Sequence, residues 1–344
     1  MPRPFRFIGR GLIAALVLAA CAGPGASPGC GCTNGPLPSS APIALTVGLG
    51  YIPSVQFAPF YYADQQGYYR DAGLEVTFQN KIDPDLVTLV GQGALDIGVA
   101  DGTSVIPAVS QGIPIKYVAT IYGTYPSIVF AKSSSGIKTA HDLAGKKIGI
   151  PGKYGSSWIM LQALLGSVGL SPDGDVTVVE YPDFGQGTAV QQGAVDAATG
   201  FANNEPIQLQ LHGDKAVVLH VDDIVALPGP GLIAGTGALS TKRTAVAAFA
   251  RATLKAMFEI AADPSKGLDA AIAAVPELAS DRTIQAAILH ATIATWAPPG
   301  GGPNDYGAID RSGWQASIDY MTKLKLVPTP VTVDQLIDGV GQPG

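Results

Sequence analysis

Leu95-Asp-Ile-Gly-Val-Ala-Asp-Gly-Thr-Ser-Val-Ile-Pro-Ala-Val-Ser-Gln-Gly-Ile-Pro-Ile-Lys-Tyr-Val-Ala-Thr-Ile121 is the stretch from which the architecture is read. Leu95–Ala100 and Ile115–Ile121 are short apolar runs bounded by Gly, Pro and Asp, and they read as strands. Thr103–Gln111 between them reads as a helix despite Pro107. Strand, helix and strand in immediate succession form the crossover unit of a parallel α/β sheet. Toward the N-terminus, Leu45–Leu49 and Leu74–Phe78 read as strands. Pro59–Gly67 reads as a helix opening on Pro and stopping at Gly, and Asp85–Gly91 as another.

The alternation then restarts. Ile148–Ile150 reads as a strand, followed by a Gly/Ser turn and a helix with Trp158, Leu161, Leu165 and Val168 on one face. Val176–Glu180, Asp196–Gly200 and Val217–Val221 read as strands, with Gly185–Gln192 and Glu205–His212 as helices between them. After Gly235 the pattern is helical, with segments expected at Lys242–Ala262, Leu268–Ala274, Arg282–Trp296, Gly313–Leu324 and Val333–Gly339. Two α/β units followed by helices predict a two-lobed clamshell, the chain crossing at Ile128–Ala131 and Leu232–Gly235. The expected lobes are residues 43–130 with 232–344, and residues 131–231.

Of 344 residues, 47% are hydrophobic and 14% charged, which excludes a disordered chain and a disulfide-stapled miniprotein. The first 20 residues hold three Arg and no acid, leaving 18 basic against 27 acidic residues in the remainder. So acidic a body has no electrostatic footprint for nucleic acid and no basic face for anionic lipid. Arg3, Arg6 and Arg10 precede the apolar run Gly11–Ala20, which is shorter than the roughly 20 residues of a membrane span. This reads as a secretory signal over residues 1–20. Leu18-Ala-Ala-Cys21 resembles a bacterial lipobox, so Cys21 is the expected acylated residue, followed by a Gly/Pro/Ser/Ala-rich tether over 21–42. Cys30 and Cys32 have no partner cluster, and no metal site is expected.

Four segments are placed to meet in the cleft. Tyr51–Tyr62 holds five aromatics in twelve positions; Tyr51, Gln56 and Phe57 are read as ligand-facing, Phe60 and Tyr61 as core. Tyr154-Gly-Ser-Ser-Trp158 joins a strand to a helix: Gly155 permits close backbone approach, Ser156 or Ser157 can cap the helix, and free N–H groups there suit a carbonyl, ring nitrogen or anion. Asn203-Asn204-Glu205 offers paired donors and acceptors to the edge of a pyrimidine or isoalloxazine ring; either Asn can instead cap the helix. Asp101, Tyr122 and Tyr125 fall at strand ends, where open α/β sheets bind ligands, and Asp101 can also cap its helix. His141, His212, His220 and His290 are scattered, and no acid/base or nucleophile constellation is formed.

Gly50-Tyr-Ile-Pro-Ser-Val-Gln-Phe-Ala-Pro-Phe-Tyr-Tyr-Ala63, Gln66-Gly-Tyr-Tyr69, Ala72-Gly-Leu-Glu-Val76, Gly93-Ala-Leu-Asp-Ile-Gly98, Asp142-Leu-Ala-Gly-Lys-Lys-Ile-Gly149 and Asn203-Asn-Glu-Pro206 occur in one order. Together they resemble the NMT1/THI5-like solute-binding proteins of ABC importers. The resemblance implies a type II periplasmic-binding-protein fold, with a mainly parallel sheet flanked by helices in each lobe. It implies a small molecule passed to a permease and its ATPase; a monomer without cofactor, held outside the membrane by the lipid on Cys21, is the accompanying expectation. The loop Gly50–Tyr62 is more similar to relatives assigned to riboflavin uptake. Pro53-Ser54-Val55-Gln56 departs from the Pro-Asn and His pattern of binders of hydroxymethylpyrimidine or formylaminopyrimidine, which stand as the alternative. The pyrimidine-synthesising branch uses a catalytic His and a Cys-rich iron motif; the last cysteine here is Cys32. An enzyme and a sensory receptor are therefore the remoter expectations.

Overall fold

The computed structural model describes residues 41–80, 86–224 and 227–342. The expected signal segment, Cys21, Cys30, Cys32, nearly all of the tether and Asp85 lie outside the described residues.

Strand β1 (Ile43–Gly48) buries Leu45 and Val47 on alternate positions and pairs in parallel with β2 (Leu74–Gln79), Ile43 opposite Leu74. It pairs on its other side with β3 (Ile97–Ala100). Beyond β3 and before β4 (Ile115–Thr120) the sheet receives a strand from far along the chain. The second sheet repeats this plan. It is built from β5 (Ser127–Lys132), β6 (Lys147–Ile150), β7 (Thr177–Glu180), β8 (Ala197–Phe201) and β9 (Ala216–His220), in the order β7-β6-β8-β5-β9. The late strand in the first sheet is β10 (Gly231–Gly235), giving β2-β1-β3-β10-β4. In each sheet the inserted strand runs antiparallel to both neighbours, Val129 facing Thr199 and Leu219 in one, Leu232 facing Val99 and Ala119 in the other. β5 and β10 carry near-continuous apolar runs because each is covered on both faces.

The structure differs from the sequence reading at both lobe boundaries: a division after residue 231 would part Gly231, which pairs with Ala100 and Thr120 in the first sheet, from the rest of β10. A division after residue 130 would cut β5, whose whole length pairs in the second sheet. Hydrogen bonding along one strand is continuous, so the crossing falls in 121–126 instead.

The C-terminal helices complete the first lobe. Helix Arg243–Ala262 buries Val246, Phe249, Ala250, Thr253, Met257 and Ile260, the spacing of a core-facing helical stripe. Phe249 stacks on Tyr69 at 4.8 Å. Helix Arg282–Trp296 touches both lobes, reaching the Val55–Phe57 turn and helix Glu205–Leu211. Among the described residues no helix is long and apolar enough to cross a membrane.

Candidate functional site

A cavity of about 380 Å³ opens where the chain leaves the carboxyl ends of the parallel strands in both sheets. The first lobe supplies Gly50 and Tyr51 after β1, Val99 to Asp101 at the end of β3, and Tyr122 after β4. The second supplies Pro151 after β6, Phe184 after β7, and Gly200 and Phe201 at the end of β8. The volume lies in the range of about 300–1,000 Å³ usual for small-molecule sites.

Most residues singled out from the sequence line this cavity: Tyr51, Gln56, Phe57, Asp101, Tyr122, Tyr154, Gly155, Ser156, Ser157, Asn204 and Glu205. Three do not. Tyr125 is buried in the second lobe's core, its hydroxyl 3.3 Å from Thr103 Oγ1, and so supports the wall from behind. Trp158 packs on the same core because its place in the helix turns it from the cleft, and Lys153 lies over its ring. Asn203 is 2% exposed and joins the lobes instead: its Nδ2 donates to Gln56 Oε1 at 3.0 Å and to Thr292 Oγ1 at 2.8 Å. Phe60 and Tyr61 are core residues, as read.

The polar groups are held by local structure. Asp101 caps helix Gly102–Ser110, accepting the Ser104 N–H at 3.1 Å and the Thr103 hydroxyl at 2.6 Å. Burial raises its carboxyl, against the opposing pull of the Thr103, Ser156 and Ser104 donors. The expected serine cap at the other helix is absent: helix Gly155–Ser167 begins at least two residues earlier than a serine cap would set it, with Tyr154 at its N-cap and no side-chain cap bond. Gly155 turns the chain there with φ +60°, leaving both serines in the first turn on the cavity wall. Asn204 occupies the N-cap of helix Glu205–Leu211 without capping it, since its Oδ1 accepts from Gln208 Nε2 at 2.8 Å.

Glu205 folds back so that Oε2 accepts the Phe201 N–H at 2.7 Å. Two glycines make room for it. A Cβ on Gly200 would stand 2.7 Å from Oε2, and one on Gly187 3.3 Å from the Glu205 Cγ. Burial pushes this carboxyl from the ordinary 4.5 up to about 7, the N–H groups of Phe201 and Glu205 pulling the other way. Tyr51 sits across from it, and its phenol is held far above the usual range by burial and then by Glu205, with Asn204 pulling the other way.

Sequence reading missed Phe184 and Gln186. Phe184 meets the Tyr51 ring edge to face, centroids 4.8 Å apart, so each lobe presents an aromatic to the other. It holds φ +60°, a conformation that bulky side chains rarely adopt and that concentrates at functional sites. Its position just after a parallel strand and just before a glycine was the available signal. Gln186 is 2% exposed; its Nε2 donates to the Thr199 carbonyl at 3.3 Å, and its Oε1 meets no hydrogen-bond donor among the described residues. No Lys, Arg or His lines the cavity among the described residues.

Comparison with known proteins agrees with this architecture. Residues 54–267 match the family described as NMT1/THI5 like. The riboflavin-binding protein RibY of Chloroflexus aurantiacus is 32% identical, over 98% of each chain. The 4-amino-5-hydroxymethyl-2-methylpyrimidine phosphate synthase of Legionella pneumophila is 26% identical over 55% of this chain and 59% of its own. The alkanesulfonate-binding protein SsuA of Xanthomonas axonopodis pv. citri, solved with MOPS, superposes with a TM-score of 0.68 at 20% identity, over 87% of this chain and 99% of that one. The last shows a shared fold, the periplasmic-binding-protein fold. With the family match covering more than half its length and a full-length relative at 32% identity, the chain belongs to the NMT1/THI5-like family.

Proposed function

We propose that this protein is the solute-binding subunit of an ABC importer and that its ligand is riboflavin. The observation that carries the reading is the cavity wall: aromatics from both lobes and neutral amides and hydroxyls, with no cationic side chain among the described residues. A sulfonate or phosphate would find no counter-charge there. A flat, uncharged ring system finds aromatic faces and hydrogen-bonding groups around its edge. The similarity to RibY over nearly the whole chain supports the same ligand. Ligand bridges the lobes and favours the closed arrangement that the permease accepts, a shift limited by its differential affinity for that state. The protein binds and does not transform its ligand; its four histidines stand outside the cavity lining. It works as a monomer outside the cytoplasmic membrane, anchored through acylated Cys21.

Titration of the purified protein with riboflavin, followed by flavin fluorescence and thermal melting, tests the assignment. Saturable one-to-one binding with an upward melting shift is expected. No response to riboflavin, with a response to hydroxymethylpyrimidine or formylaminopyrimidine, would replace it by the pyrimidine reading that the 26% identity to the synthase keeps in view. For the anchor, Cys21→Ala is expected to move the protein from the membrane fraction to the soluble one.

A further inference from the structure

The second lobe sets two polar groups side by side in the cleft wall. Glu205 lies in its glycine-walled niche with Oε2 tied to the Phe201 N–H. Gln186 precedes Gly187, which abuts the Glu205 stem, and its buried Oε1 meets no donor among the described residues. The Nε2 bond to the Thr199 carbonyl fixes which end of the amide is the free acceptor. Among the described residues no positive charge answers Glu205. Helix Gln186–Gln192 and strand β8 carry no titratable side chain. Lys132 on β5 pairs with Asp214 at 2.9 Å, and His220 on β9 stands 3.4 Å from Asp222. On helix Arg282–Trp296, Arg282 pairs with Asp269 at 2.5 Å and His290 is exposed. From the opposite lobe come the Tyr51 phenol and the second carboxyl of the cleft, Asp101.

We propose that Glu205 meets the ligand as a neutral carboxylic acid, donating its O–H to a ligand carbonyl or ring nitrogen, while Gln186 Oε1 accepts the neighbouring ligand N–H. The proposal rests on the flavin reading above, and it names how that site selects. The imide edge of riboflavin presents an N–H between carbonyl acceptors, which this donor and acceptor complement. An ionised Glu205 would set acceptor against acceptor. The free acid ionises as pH rises through about 7. Binding is therefore at full strength below that pH and weakens above it, taking up a proton.

Calorimetric titrations with riboflavin at pH 6, 7 and 8, in two buffers of unlike ionisation enthalpy, test this on the wild type, Glu205→Gln and Gln186→Met. Carbon-13 NMR of glutamate-labelled, ligand-free protein reads the Glu205 titration directly, with Glu205→Gln assigning the signal. The expected wild-type affinity falls above pH 7, approaching roughly tenfold per pH unit, with proton uptake at pH 8. Glu205→Gln, which keeps an N–H donor, binds within a few-fold of the wild type at pH 6 and is flat with pH. Gln186→Met loses roughly tenfold or more, the scale of an unmet buried polar group, and keeps the pH slope. Affinity that is level or rising with pH in the wild type overturns the proposal. Absence of riboflavin binding at every pH overturns the flavin reading alone. The carbon titration then decides Glu205: ionisation below pH 5 overturns the neutral-acid role whatever the ligand, and ionisation near 7 sustains it.

Discussion

At the residue scale, two side chains hold conformations or charge states that free peptides avoid. Phe184 keeps φ +60° while its ring faces Tyr51 across the cleft. A left-handed non-glycine residue costs of order 1–3 kcal/mol. Phe184→Gly is expected to leave or raise stability, by up to about 1 kcal/mol after the added unfolded-state entropy of glycine. Urea unfolding would show it, alongside riboflavin affinity weakened by about 0.5–1.5 kcal/mol for the lost ring. A fall in stability would mean that the strain is repaid by the ring's packing. Glu205 makes stability depend on pH. Its folded value, about 7, lies above its ordinary 4.5, so the unfolded chain loses this proton first. The group's contribution is thus fully present below about 4.5, declines as pH rises, and is gone above about 7, a span of at most about 3 kcal/mol. Denaturant titrations across pH 4.5–8 are expected to show Glu205→Gln gaining on the wild type as pH rises.

At the element scale, the crossing segment is joined closely to the C-terminal helix. Helix Arg282–Trp296 ends with carbonyls that its own backbone cannot satisfy. Gly123 N–H donates to the Trp296 carbonyl at 3.2 Å and Thr124 N–H to that of Thr295 at 3.1 Å. A Cβ on Gly123 would stand 2.4 Å from the Ala297 carbonyl carbon, with only backbone to move aside. Gly123→Ala is therefore expected to cost about 1–3 kcal/mol in thermal or urea unfolding, the scale of overpacking. The same helix was readable end to end from its apolar spacing. Its role as a strut on the crossing was not, because carbonyl partners 170 residues away leave no local pattern.

At the scale of the whole molecule, Asn203 ties the second lobe to the Val55–Phe57 turn and to helix Arg282–Trp296 of the first. Removing it leaves Gln56 Oε1 without that donor, while Thr292 keeps its bond to the Ile288 carbonyl. Asn203→Ala is expected to lose about 1–3 kcal/mol of interlobe contact. Small-angle scattering of the ligand-free protein would register this as a larger radius of gyration, reversed on adding riboflavin. An unchanged envelope would show that the remaining contacts, Tyr51 on Phe184 among them, suffice to hold the lobes together.

The sequence by itself determined what is local: the alternation of strands and helices, the Asp101 cap, the aromatic loop after β1 and the core placement of Phe60. These follow from apolar period, turn chemistry and backbone capping within a few residues. Only the tertiary structure decided that β5 and β10 enter their sheets antiparallel, that Asn203 serves the lobe junction rather than the cavity, and that Phe184 and Gln186 reach it. Strand insertion and cleft membership depend on what arrives from distant segments. The proton on Glu205 belongs to the same class, since a glutamate in sequence is an anion and becomes a neutral acid only where burial removes water without supplying a counter-charge.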